Sequence, residues 1–585
     1  MAISSFFGNS GKYIDDLSLV GSVEGPKHEY WTAGCVLAAR LTEDPSLSVL
    51  VLEAGGSGTP HLYEFTLEPQ VHATNRPRYF PRGKVLGGCS SVNAQMAQYG
   101  APSDFDQWAA LNNDESWSWK NLHRYFKKFE KYTDDPAYPN VDSSVRGSEG
   151  PVRVGYFNRA SEHSKAFVEA CGEVGIPPVP DFNGPKGPLG AGRVMTYIDS
   201  KGQRVSSETA YLTKEVLARP NLKVAIHAQV TRIIFDRVNG VMRAIGVECA
   251  NSPDGPRYKA HARREVIISA GTIHSPHILM LSGIGPATEL RKHGIPVIRD
   301  LPGVGANLVD HPIASLYLRD KKNDSVNILK PKNVLEGLQL AREVAKYQLY
   351  GTGKLATNFG EAAAFVRTDN PVLFPPKDYP QKLEDSTSGA ASPDLELFCT
   401  PMAFKDHGQL LFNVHTYSLH CYLVRPTSRG TVRLTSASPW ALPSVNPNYL
   451  HSPHDLDKLL RGFRLILKIA HAKAMESYID HSDTNPELDH AKHLDRKTDD
   501  ELKEMIRERV ETVYHPTSTC RMAPEGEAEG GVVDSRLKVY GIEGLRVCDA
   551  SVFPWIVSGH TAGACFAIAE KFADDLKAEF KASKI

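Results

Sequence analysis

Four apolar residues, Val49, Leu50, Val51 and Leu52, run together inside SLSVLVLEAGG, and the run stops at Glu53 and two glycines. An unbroken apolar run of this length, bounded by turn residues, predicts a strand buried on both faces. Just upstream, TAGCVLAARLTED places Ala, Val and Leu at helical intervals and ends in polar residues, which predicts a helix. A helix feeding an all-apolar strand is the second half of a βαβ unit and implies a parallel sheet. Further on, NLKVAIHAQVTRIIFD alternates as strands do. REVIISAG predicts another buried strand, followed by a helix that opens in SPHILMLSGIG. Residues 311–450 carry more Pro and Lys among strand-like segments. Within them SRGTVRLTSASP predicts a hairpin, HDLDKLLRGFRLILKIAHA an amphipathic helix, and the Pro- and Ser-rich stretch 371–394 a long loop. Near the end, LRVCDASVFPWIVSGHTAGACFAIAEKFADDL predicts strand, loop and helix.

Composition narrows the class. The chain has 585 residues, 41% hydrophobic and 23% charged, with a formal net charge of −1. Those proportions belong to an ordinary globular protein of more than one domain. A charge so near zero gives no overall field for nucleic acid or anionic lipid. The charged run HLDRKTDDELKEMIRERV has helical spacing and predicts a solvated helix face. VIISAGTIHSPHILML is interrupted by His274, Pro276 and His277, so a buried strand and helix explain it better than a membrane span. The nine cysteines lack CxxC pairs; neither a disulfide framework nor a zinc site is expected, and a reducing compartment suits them. The N-terminus lacks the pattern of a secretory signal. Ser583-Lys584-Ile585 differs from the peroxisomal address only in its last residue, so an intracellular site, cytoplasmic or peroxisomal, is expected.

From Gly34 to Glu53 is 19 positions, close to the ~20 between a dinucleotide-binding glycine loop and its ribose-binding acid. The rest of that loop is altered. Placed without gaps, Gly-x-Gly-x-x-Gly falls on Glu29, Trp31 and Gly34, and only the last is glycine. A gapped alternative makes DDLSLVG the first strand, ending at Gly21, with residues 22–31 bulging the phosphate loop. Either version weakens the grip of helix N-terminus and loop amides on phosphate.

The most specific segment is GKVLGGCSSVNAQMAQYGAPSDFD, residues 83–106, in which Gly87 and Gly88 permit close backbone approach and small polar residues follow. This segment resembles the first signature of the glucose–methanol–choline (GMC) oxidoreductases, with Cys89 where glycine or a small hydroxyl residue is usual. GTIHSPHILMLSGIG, residues 271–285, fits the second signature. The resemblance continues through LPGVGANLVDHP and VYHPTSTCRMAP to the C-terminal strand–loop–helix, over roughly residues 32–575.

The resemblance implies an α/β fold. A discontinuous FAD-binding, Rossmann-like domain of the p-hydroxybenzoate hydroxylase type would hold residues 14–150, 196–310 and 521–585. An inserted α+β substrate-binding domain would hold 151–195 and 311–520. It implies that Glu53 binds the adenosine ribose. Gly34 would open the helix behind the glycine loop. Arg82, Gly83, Leu86, Gly88, Ser90, Asn93 and Ala94 would lie along the pyrophosphate and isoalloxazine. Val230 would read adenine through its backbone, Ala270 would stand at the turn after a sheet strand, and Asp549 and Ala550 would contact the ribityl–pyrophosphate region. Thr561 and Ala562 would lie near the pyrimidine side of the ring.

Among 22 histidines, the resemblance singles out His515 as a base and His560 as its partner on the substrate oxygen. An imidazole with an ordinary pKa near ~6.5 suits proton transfer from an alcohol near neutral pH. The expected reaction is oxidation of an alcohol to a carbonyl with hydride passing to flavin N5, and oxygen or another acceptor closing the cycle. Two alternatives stand beside it: a non-redox lyase on the same fold, and a binding protein poor in cofactor because of the altered loop. Some relatives attach flavin through a histidine just before the motif asparagine. Val92 stands there, so FAD is expected to be non-covalent. Ala94 stands where some aryl-alcohol oxidases carry an aromatic gate, and Ser518 replaces a glycine common after the first histidine. Phe and Tyr residues between 398 and 422 are candidates for an aromatic-accepting pocket. No metal site is expected.

Overall fold

A computed structural model describes residues 13–21, 34–156, 161–329, 331–405, 410–489, 494–528 and 530–582. The predicted helix forms at Gly34–Leu41, burying Cys35, Val36, Leu37, Ala38, Ala39 and Leu41. The strand Val49–Leu52 follows, buried along its whole length. It pairs in parallel with Leu222–Ala225, the first half of the alternating segment. The second half forms Gln229–Val238, in a three-stranded antiparallel sheet with Val241–Ala250 and Tyr258–His261. Val266–Ile268 pairs in parallel with Leu545–Val547, and the helix Gly271–Leu281 follows after Ser269 and Ala270, opening four residues before the expected SPHILMLSGIG and ending inside it.

Among the described residues no strand joins these two parallel pairs into one sheet. The segment DDLSLVG does not supply one, because Ser18–Gly21 is a helical turn. Ile14 instead bridges in parallel to Ala225, its N–H donating to the carbonyl of Val224 at 2.9 Å. Glu29, Trp31 and the bulge 22–31 lie outside the described residues, as does Ser583-Lys584-Ile585.

The middle of the chain builds a six-stranded antiparallel sheet. Its spatial order is Glu511–Thr512, Pro312–Arg319, Thr416–Leu423, Leu395–Thr400, Ala362–Val366 and Gly190–Arg193. The predicted amphipathic helix, Pro453–Ala470, packs on the strand Thr416–Leu423. The charged run forms the helix Asp499–Arg509, which turns Leu502 and Ile506 inward and exposes its acidic residues, while Arg509 is part-buried against Asp489. Residues 371–394 contain neither helix nor strand, as expected. The predicted hairpin differs. Thr431–Arg433 pairs with Ser444–Asn446, so the return strand lies beyond SRGTVRLTSASP, with the Ser- and Pro-rich residues of that segment in the connection.

Two apolar cores result. One gathers Leu37, Val51, Val224, Ile267, Val547 and Phe572 around the parallel strands. The other gathers Phe167, Leu316, Leu397, Leu419, Phe463 and Ile506 under the six-stranded sheet. All nine cysteines are free. No helix among the described residues is long and apolar enough to cross a membrane.

Leu419 is fully buried on a strand hydrogen-bonded on both sides. Leu419→Ala is expected to lose about 3 kcal/mol of stability, seen as a lower urea midpoint of the far-ultraviolet circular dichroism signal.

Candidate active site

Between the parallel strand pairs and the six-stranded sheet lies a cavity of about 890 Å³. The strand pairs contribute Leu52, Glu53 and Val266 to Ile268; the antiparallel sheet contributes Ile313, Ser315, Phe398, Thr400 and Tyr422. Thirteen of the fifteen residues expected to hold cofactor line this one cavity: Glu53, Arg82, Gly83, Gly88, Ser90, Asn93, Ala94, Val230, Ala270, Asp549, Ala550, Thr561 and Ala562. Gly34 and Leu86 do not. Gly34 is buried in the first turn of its helix. Leu86 is packed into the core; its N–H donates to Gly56 and its carbonyl accepts from Ser91. An apolar side chain at that place anchors the loop from behind.

The positions of the others follow from local structure. Glu53 ends its strand, where the chain turns, and its carboxylate accepts from the Gly55 N–H at 2.7 Å. Burial pushes this carboxyl up to about 7, because a desolvated anion is costly without further donors. Arg82 reaches from the strand Tyr79–Lys84 to the carbonyl of Tyr514 at 2.8 Å. Gly88 (φ +55°) and Gly271 (φ +79°) are left-handed, and a Cβ built on either meets nothing within 4 Å. Both line the cavity, so bare backbone is presented to it. Ser90 is turned away: its hydroxyl donates to Gly87 O at 2.6 Å and accepts from Ser207 N–H at 2.9 Å. Asn93 Oδ1 accepts from Arg204 at 2.8 Å. Asp549 is held by Gly271 N–H at 2.9 Å, Ser275 Oγ at 2.6 Å and Ser551 N–H at 2.7 Å. Burial nevertheless keeps its carboxyl above the usual range.

This lining suits FAD. A buried carboxylate short of donors faces the cavity at Glu53, as a ribose requires. Ser269 Oγ is buried, lines the cavity and has no hydrogen-bond partner among the described residues. The two open glycines admit a ligand against the backbone. Among the described residues no group of His, Cys, Asp and Glu is arranged to hold a metal.

The two predicted histidines meet here. The His515 and His560 rings are 4.8 Å apart, centroid to centroid, and nearly perpendicular. Three groups that the sequence reading had not assigned complete the cluster. Asp310 accepts from the backbone N–H of His515 at 2.9 Å. His311, fully buried, faces His515 Nδ1 to Nδ1 at 3.0 Å and places Nε2 2.9 Å from the carbonyl of Val424. Glu396 lies between Tyr422 Oη and His560 Nε2. Asp310 and His311 stand inside NLVDHP, a segment already aligned; Glu396 and Tyr422 sit on strands whose partners no local pattern specifies.

Proton positions follow from these partners. The Val424 carbonyl only accepts, so His311 Nε2 carries hydrogen and Nδ1 is its lone-pair nitrogen. The partner of that lone pair is His515, whose Nδ1–H donates to it and whose Nε2 is left with a lone pair of its own. Burial, with the neighbouring imidazoles second, holds His515 well below the usual histidine range; burial lowers His311 to about 3. Ser518 has φ +76°, the left-handed backbone that explains why glycine is common there.

An α/β enzyme with an FAD-sized cavity and a histidine pair at its wall is the class of molecule that the fold and site define. The comparisons agree. Models of the GMC oxidoreductase N- and C-terminal regions match residues 32–313 and 426–569. Dehydrogenase str4 of Strobilurus tenacellus is 38% identical, over 93% of this chain and 92% of its own. Mitochondrial choline dehydrogenase of Mus musculus is 33% identical, over 93% and 88%. The solved structure of an FAD-dependent oxidoreductase from Chaetomium thermophilum superposes with a TM-score of 0.82 at 28% identity, over 95% of this chain and 100% of that one. The chain belongs to the GMC oxidoreductase family, and is an FAD-dependent enzyme acting on CH–OH donors.

Glu53 generates a pH prediction. Its folded pKa is raised, so the stability it contributes is full below the unfolded value near ~4.3 and is lost as pH rises through about 7. In the flavin-free protein, Glu53→Gln is therefore expected to gain melting temperature relative to the parent at pH 8, with the gain vanishing at pH 4.5.

Proposed function

We propose that the chain oxidises a neutral alcohol bearing an aromatic or other apolar substituent, with His515 as general base. The observation that carries this reading is the hydrogen-bond chain Val424 O–His311–His515, in which the lone pair of His311 Nδ1 is taken by His515 and that of His515 Nε2 is left without a donor from the chain, in a residue on the wall of the cavity. His515 Nε2 takes the hydroxyl proton while His560 holds the substrate oxygen. FAD, when bound, supplies the hydride acceptor, and the alcohol leaves as a carbonyl compound. Because its environment favours the neutral form, His515 stays free of a proton through neutral pH and into mild acid.

The apolar substituent is supported by what the sheet turns toward the cavity. Ile313, Ser315, Phe398, Thr400 and Tyr422 carry no charge, Phe359 and Met96 add apolar surface, and Glu511 is the charged side chain that the sheet brings to the lining. Phe398 and Tyr422 are therefore cavity residues, not core residues alone. The domain division 14–150, 196–310 and 521–585 against 151–195 and 311–520 is supported by the two cores, although Phe65, Phe80, Ile273 and Leu308 of the first part pack with the second core. Non-covalent attachment is supported by Val92, which lines the cavity without a nucleophilic atom.

Two experiments test these readings. With benzyl alcohol as probe under anaerobic conditions, bleaching of the flavin band near ~450 nm is expected to be about 10²–10⁴-fold slower in His515→Ala than in the parent, with unchanged FAD content and melting temperature. Undiminished bleaching in the variant refutes the base. Acid precipitation of the holoenzyme is expected to leave all yellow colour in the supernatant; flavin in the pellet refutes non-covalent binding.

A further inference from the structure

A buried histidine that the chemistry above does not use, His420, touches three residues of the cavity wall. Its strand, Thr416–Leu423, runs between Pro312–Arg319 and Leu395–Thr400. The register lays side chains on one face in rows. Ile313, Tyr422 and Glu396 form the first row; Ser315, His420 and Phe398 the second; Tyr317, Ser418 and Thr400 the third. Successive rows are two residues apart along each strand, about 7 Å. Tyr422 puts the first row against His311, His515 and His560. Ser315 and Thr400 therefore line the part of the cavity that lies away from the histidine pair.

Both ring nitrogens of His420 are engaged. Nδ1 lies 2.7 Å from Ser315 Oγ and Nε2 lies 3.0 Å from Thr400 Oγ1. The Phe398 ring stacks on the imidazole at 4.4 Å. Thr400 sets the direction of the whole chain, because its hydroxyl donates to the carbonyl of Met402 at 2.7 Å. A hydroxyl has one hydrogen, so Thr400 Oγ1 accepts from His420 Nε2–H. Burial keeps this imidazole neutral, lowering it to about 3. A neutral ring has one N–H, so Nδ1 is a lone pair and the Ser315 hydroxyl donates to it. Ser315 is half-buried and lines the cavity. With its only hydrogen turned toward His420, its oxygen offers the cavity lone pairs alone.

Resting on the reading above that the alcohol reacts at His515 and carries an apolar substituent, we propose that Ser315 is a specificity-determining residue, selecting substrates that bear a neutral hydrogen-bond donor, a second hydroxyl or an amide N–H, on the far side of that substituent. A donor placed there meets an acceptor whose direction is fixed before it arrives. An ether oxygen there sets lone pair against lone pair and gives up its water without replacement. The second and third rows carry no charged side chain, so a cationic donor finds no counter-charge and a neutral one is favoured. Phe398, in the same row as Ser315, gives the apolar part of the substrate a flat neighbour. A hydroxybenzyl alcohol has this combination, and its O-methyl ether has the shape without the donor.

The test compares the parent, Ser315→Ala and Ser315→Thr as holoenzymes of equal FAD content. Calorimetry at pH 6, where the phenols stay protonated, gives the dissociation constants of 4-hydroxy- and 4-methoxybenzaldehyde and of the 3-substituted pair. Anaerobic flavin reduction gives kcat/KM for the corresponding benzyl alcohols. The parent is expected to favour the hydroxy member of at least one pair by about 10-fold in both measurements. Ser315→Ala is expected to lose that preference through weaker binding of the hydroxy member, and Ser315→Thr to restore it. Equal or tighter binding of the methoxy member in both pairs of the parent, or a preference that persists in Ser315→Ala, overturns the proposal. Calorimetry needs no turnover, which separates the two readings. A holoenzyme that binds the aldehydes with the stated preference but oxidises none of the alcohols keeps the role of Ser315 and refutes the reaction. One that oxidises benzyl alcohol through His515 without any preference keeps the reaction and refutes the role of Ser315.

Discussion

A hydrogen bond of 2.9 Å between His311 Nε2 and the carbonyl of Val424 sets which nitrogens of His311 and His515 face each other as donor and acceptor. Val424 follows the strand Thr416–Leu423, and His311 precedes the adjacent strand Pro312–Arg319. Their separation is thus fixed by the antiparallel register of two buried strands, and no side chain can relax it. Everything downstream is a matter of which atoms can donate. The ring of His311 is locked, the ring of His515 answers it, and Asp310 holds the backbone of His515 in register. A scaffold that imposes proton positions through sheet geometry needs no titration to be ready.

The two layers contribute unequal things to the cavity. The parallel strands bring backbone: glycines with open space, a carboxylate at a strand end, and turns at Ala270 and Asp549 that face inward. The antiparallel sheet brings side chains that differ in polarity along alternate positions, which is how a flat layer can present Phe398 to a cavity while Leu397 and Cys399 fill the core behind it. The two kinds of lining therefore come from separate layers of the fold.

Much of this was legible in the linear pattern. The strand Val49–Leu52 and the helix Pro453–Ala470 carry strong periodicity and short-range turn signals and form where expected, while the helix Gly271–Leu281 forms with its start four residues earlier than expected. The hairpin at SRGTVRLTSASP was misplaced because a turn-rich composition fits a connection as well as a tight turn, and only the distant pairing with Ser444–Asn446 distinguishes them. DDLSLVG has the apolar content of a strand, but Ser18–Gly21 coils into a helical turn. In the site, the two histidines were readable because they sit in motifs. His311 stands in the motif NLVDHP and Tyr422 in the aromatic range 398–422, but their hydrogen bonds, and the place of Glu396, were not readable, since these depend on a register between strands far apart in sequence. Leu86 was readable as part of the right loop but not as its buried anchor, because a motif records position and not the direction of a side chain.

The cluster at the cavity wall draws on Gln98, His311, Glu396, Tyr422, His515 and His560. The last of these immediately precedes the helix Thr561–Ala582, which also covers the helices Gly34–Leu41 and Trp119–Phe129. During synthesis, then, early elements of the parallel layer wait uncovered until that final helix has emerged from the ribosome. His560, and with it the complete cluster, is therefore present only once the chain has been synthesised to the start of that helix.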